Sequence, residues 1–166
     1  MSPDGEIKFR LVPGIRRTSG RAIGFLEGRA ELTASAAADS LKGKRRYFLL
    51  GSMQRWVDGL NGPPSRFHGF PNDRDYKMCF VFKVRENGSG HRFYGYLYHP
   101  MSMSPRFQVC VLCIHARKNE HETDRAELKR VKVWFESAEV RQAVSRVFSD
   151  DSANDQEEKR VPKWKM

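Results

Sequence analysis

The chain has 166 residues, 39% hydrophobic and 11% aromatic, with a formal charge of +10 and a pI near 9.8. That length and apolar content describe one domain with a real core and exclude a disordered chain, while no apolar run approaches the roughly 20 residues of a bilayer span. The excess of Lys and Arg runs through residues 1–148 rather than the tail, so the expected partner is a polyanion, nucleic acid first, or an acidic protein.

Met1 to Glu6 lacks the basic and then apolar segments of a signal peptide, and a cytoplasmic location is expected. Glu6 to Val12 alternates Ile7, Phe9 and Leu11 with Lys8 and Arg10, which predicts a strand stopped by Pro13-Gly14. Residues 13–28 carry four glycines and three arginines without periodicity and read as a basic loop. Arg29 to Ala38 is alanine-rich and predicts a short helix. Ser40 then opens a second helix, with Leu49, Leu50, Met53, Trp56, Val57 and Leu60 on one face, ended by Gly59 and Gly62-Pro63-Pro64. Lys42, Lys44, Arg45 and Arg46 crowd its start, the wrong end for the helix dipole.

Ser65 to Asp75 reads as a polar loop. Tyr76 to Arg85 alternates cleanly, turns at Asn87-Gly88, and returns over His91 to His99 with Arg92, Tyr94, Tyr96 and Tyr98 on one side. Phe107 to Ile114 is apolar on both faces, as a central strand is. Asp124 and Glu127 have capping-box spacing before a helix that runs through Val131, Trp134 and Val144 to Phe148. The expected fold is α+β: a small antiparallel sheet, a three-strand meander plus an N-terminal strand, packed against helices on one face. Residues 1–40 would be an N-terminal addition, 41–148 the core, and 149–166 a polar flexible tail.

Cys79, Cys110 and Cys113 are an odd set. Cys110 and Cys113 match C-x-x-C, but three residues apart on a strand they face opposite ways, so buried thiols are expected rather than a redox or zinc pair. His115, Glu120 and His121 match no standard ligand spacing, so neither metal nor other cofactor is expected.

Tyr76-Lys77-Met78, Phe82-Lys83-Val84-Arg85, Gly90-His91-Arg92-Phe93-Tyr94 and Glu127-Leu128-Lys129-Arg130-Val131 together resemble the RelE/HigB family of type II toxins, over roughly Leu41 to Val147. The resemblance implies a basic cleft on an open sheet face, mRNA on the ribosome as substrate, and a cognate antitoxin as partner. Lys118-Asn119 and Thr123-Asp124 stand where the family often carries a basic pair followed by Thr-Pro, and His121 lies nearest the position where some members carry a tyrosine. RNA is cut without metal when its 2′-hydroxyl attacks the adjacent phosphate, and the protein must offset charge and move protons. The resemblance puts Lys83, Arg92 and Lys118 at the scissile phosphate. Arg92 and Lys118 would hold that phosphate, Lys83 would act as base and His121 as acid. Arg85 and Arg117 would take neighbouring phosphates, and Tyr94, Tyr96 and His115 would complete the RNA-binding surface. Two other readings stand beside this one: a ParE-like inhibitor of DNA gyrase without catalysis, and a basic RNA- or DNA-binding module.

Overall fold

A computed structural model describes residues 5–86, 89–100, 106–119 and 124–148. In chain order the elements are β1 (Lys8–Leu11), β2 (Arg21–Glu27), α1 (Ala34–Ser40), α2 (Gly43–Val57), β3 (Phe67–Gly69), β4 (Cys79–Glu86), β5 (Ser89–Tyr98), β6 (Gln108–Lys118) and α3 (Arg125–Phe135), followed by a helix over 138–148, here α4.

The expected small sheet is corrected to a mixed sheet of six strands in the order β1-β2-β6-β5-β4-β3. β2 runs parallel to β6, and the other neighbours are antiparallel. The expectation of helices on one face is corrected too. α1 and α2 cover one face over Phe25, Phe80, Phe82, Phe93 and Leu112. α3 and α4 cover the other over Val81, Tyr94, Tyr96, Val109 and Val111. This is a three-layer α/β arrangement.

Two strands escaped the sequence reading, each for its own physical reason. β2 is buried at five consecutive positions, because it lies inside the sheet between both helical layers. Burial on both faces removes the alternation that marks a half-exposed strand. β3 is only three residues long and pairs with β4 at the sheet edge. The arginines of the supposed loop serve the structure. Arg21 donates to the Trp56 carbonyl at 2.7 Å and stacks on that indole, which ties β2 to the end of α2. Arg17 lies over Phe107 and Phe148. The N-terminal residues up to 40 therefore share one sheet, and the apolar layers on both its faces, with those that follow.

The last helix divides. α3 ends at Phe135, and the Ser137 hydroxyl accepts the Val140 N–H at 3.3 Å to start α4. The three cysteines are free and buried, with Cys110 toward α2 and Cys113 toward α3, as strand geometry predicts. The C-terminal tail lies outside the described residues.

One irregularity governs the site. Tyr94 pairs with Ile114, but Gly95 pairs with Leu112, so β6 carries one extra residue, Cys113, at a β-bulge. Period-two alternation breaks there. Beyond it His115 and Arg117 face the α2 side, while Ala116 and Lys118 face the α3 side. Gly95 is required at this point, because a Cβ there would stand 2.1 Å from the Val111 carbonyl oxygen.

Candidate phosphate-binding site

The β4–β5 hairpin and the end of β6 close one end of the sheet, where α3 begins. A pocket of about 270 Å³ lies here, lined by Ser65, Lys83, Val84, Arg85, Ser89, Gly90, His91, Arg92 and Lys118. The pairing explains the convergence. Lys83 lies opposite Arg92 across β4 and β5, and Lys118 lies opposite Gly90 across β5 and β6. Two cations directly opposite each other in a sheet repel, which is a cost that a counter-ion must offset.

Carboxylates supply that offset from the start of α3. Asp124 accepts from the Arg92 guanidinium and from the Tyr94 hydroxyl. Arg92 also donates to the Asn119 carbonyl at 3.5 Å. Glu127 pairs with Lys118 at 2.7 Å, and both side chains are nearly buried. The two residues whose spacing suggested a capping box thus do different work. Asp124 makes no side-chain cap bond, and both carboxylates reach into the basic cluster. Sequence reasoning missed them as site residues because Asp-x-x-Glu at a helix start already had a sufficient local explanation.

Lys83 forms no ion pair among the described residues. Its pKa is lowered by burial first, then by the neighbouring Arg92, while Asp124 pulls the other way. His68, on the edge strand β3, feels the same cluster. Burial lowers its pKa, a bond to the Gly69 carbonyl and Asp124 oppose that, and Lys83 and Arg92 add to it.

The other sequence-named residues divide between this pocket and two other places. Arg85 is exposed at the pocket rim. Tyr94 and Tyr96 are fully buried, Tyr96 beneath α3 with its ring edge-on to Phe135, so neither offers a face to a base. Burial first, then the Asp124 contact, raises the Tyr94 pKa, and the hydroxyl stays protonated as Arg92's neighbour. His115 and Arg117 lie on the α2 side. There His91 bridges, with one ring nitrogen 2.8 Å from His115 Nε2 and the other on the Glu86 carboxylate. Burial, His91 and Arg117 together push the His115 pKa down to about 4, so His115 is neutral at pH 7. Arg117 also stands near Glu86, at 3.5 Å, and donates to the Ser89 hydroxyl. His121 lies outside the described residues. Among those residues no cluster of three or more His, Cys, Asp or Glu is placed to hold a metal ion.

Comparison with protein-family models, with curated proteins and with solved structures finds no match to this chain. No helix of the described residues is long and apolar enough to cross a membrane.

Proposed function

We propose that this protein binds RNA at the sheet-end pocket and cleaves it without metal, as a RelE/HigB-like toxin does: an endoribonuclease acting on mRNA in the ribosome and neutralised by an antitoxin. The observation that carries the reading is that Lys83, Arg85, Arg92 and Lys118, drawn from three strands, line one pocket. The resemblance to RelE/HigB toxins implies three of these four, Lys83, Arg92 and Lys118, at the scissile phosphate. The corrected fold keeps this convergence but gives the pocket a sheet end rather than an open sheet face.

In the proposed reaction the 2′-hydroxyl loses its proton and attacks the adjacent phosphorus. The 5′-oxygen leaves and takes up a proton, giving a 2′,3′-cyclic phosphate and a free 5′-hydroxyl. Arg92 and Lys118 offset the charge on the non-bridging oxygens. Lys83, with its lowered pKa, is the base, and partial burial raises its neutral fraction for that role. His121 is the proposed acid. Asp124 and Glu127 hold the cations in place before RNA arrives, and the phosphate competes with them for those charges.

A second reading, RNA binding without turnover, is favoured by those same carboxylates, because Arg92 and Lys118 already have partners. Incubation with ribosomes programmed with mRNA separates the two. The enzyme reading expects fragments with 2′,3′-cyclic phosphate ends and a loss of about 100-fold or more in Lys83→Gln, the scale of a missing general base. Salt-sensitive binding with intact RNA in wild type would leave the binding reading alone.

A further inference from the structure

The outer face of α2 is not explained by the core it covers. Leu49, Met53, Trp56 and Val57 face inward and are buried. At helical spacing on the opposite side stand Lys44, Tyr47, Phe48, Gly51 and Arg55, all exposed. Tyr47 is 80% exposed and Phe48 40%, an unusual pair of large rings to leave in water. The Arg66 guanidinium sits over the Phe48 ring at 4.5 Å and is braced by a 2.8 Å bond to the Ser52 hydroxyl.

This face is continuous with the basic pocket. Lys44, Arg45, Phe48, Ser65, Val84 and Arg85 line an open depression of about 560 Å³. Ser65, Val84 and Arg85 line the pocket as well, so the two hollows share a wall. Arg45 reaches toward Glu86 at 3.9 Å, beyond contact distance for a strong pair.

We propose that the α2 face is a track for single-stranded RNA leading from the pocket, with Arg85, Arg45 and Lys44 on successive phosphates and Tyr47 and Phe48 stacking bases. The inference rests on the pocket being an RNA site and deepens it by naming the form of RNA. Cations interleaved with exposed rings suit a single strand, because an unpaired base offers its flat face while a duplex hides it. The charge excludes an apolar partner, and the rings would be idle against duplex phosphates alone.

The test measures binding of the full chain to labelled oligoribonucleotides of about 4 and about 12 nucleotides, and to a duplex of the longer sequence. The variants are Tyr47→Ala, Phe48→Ala and the pair Lys44→Gln/Arg45→Gln, with Lys83→Gln reporting on the pocket. Wild type gains affinity with strand length. Tyr47→Ala is expected to lose about fivefold or more of that gain, with the salt dependence unchanged. The Lys44→Gln/Arg45→Gln pair is expected to lower the salt slope by about 1.4. A Tyr47→Ala protein that is folded by circular dichroism and keeps the full length-dependent gain overturns the track. So does equal preference for duplex, or a Tyr47-dependent dimer, which would make this face a protein interface. If RNA binds along this face but is never cut, the track stands and the enzymatic reading falls. If Lys83→Gln abolishes cleavage while the α2 variants bind as wild type, the reverse holds.

Discussion

Lys83 is the cleanest probe of the site, because Arg92 and Lys118 are also structural. Lys118→Ala strands the Glu127 carboxylate in a site where both side chains are nearly buried, and such a break costs about 3 kcal/mol or more. The prediction is a large fall in urea midpoint for Lys118→Ala and recovery of most of it in Lys118→Met/Glu127→Leu. A double-mutant cycle on urea unfolding measures the difference. Tyr96 gives the opposite expectation. Its hydroxyl is buried with no hydrogen-bond partner among the described residues. Tyr96→Phe should therefore raise stability by about 1 kcal/mol and leave RNA binding alone. A loss of RNA affinity in that variant would restore the role that the sequence suggested for Tyr96.

His115 sets a pH dependence. The unfolded chain takes up a proton near the ordinary histidine value of 6.5, while the folded chain resists it until about pH 4. The unfolded state binds more protons across that window, so stability falls as pH drops from about 6.5 toward 4 and is level above it. His68, also lowered, acts in the same direction. Urea midpoints at about pH 7 and about pH 5 should differ in wild type and differ less in His115→Gln. An equal drop in both would show that His115 does not carry the effect.

At the scale of elements, the bulge in β6 decides which side chains meet. Without Cys113 as the extra residue, strict alternation would send Lys118 to the α2 side, away from Arg92 and Glu127. Gly95→Ala places a Cβ against the Val111 carbonyl and the Leu112 Cα, backbone atoms that cannot swing aside as a side chain can. The expected outcome is destabilisation by more than about 3 kcal/mol, or failure to fold, read as a drop in thermal midpoint. A variant as stable as wild type would mean that the strands can separate locally. The bulge was not legible in the sequence, because Val109 to Ile114 is apolar throughout and carries no phase to lose. The β4–β5 hairpin was legible for the converse reason: Lys83 and Arg85 alternate with Phe82 and Val84, and one face is half exposed. β2 offered no such contrast. The division of the last helix at Ser137 had a signal, a serine three residues before Val140, hidden inside an otherwise continuous apolar stripe.

The whole molecule is a six-stranded sheet between two helical layers. Much of the basic composition proves structural, as in Arg21 on Trp56 and Arg29 on Glu139, so net charge alone overstated the binding surface. The pocket and the α2 face beside it are the candidate binding surface. Binding of single-stranded RNA should weaken with salt, and Arg85→Gln should reduce the logarithmic slope by about 0.7, one phosphate contact. The measurement that tests the account most directly is mapping of cellular RNA ends after brief induction, wild type beside Lys83→Gln. The account predicts new 5′-hydroxyl ends within translated mRNA in wild type and none in the variant at equal protein level. Growth arrest with intact mRNA, or the same ends in Lys83→Gln, would contradict it.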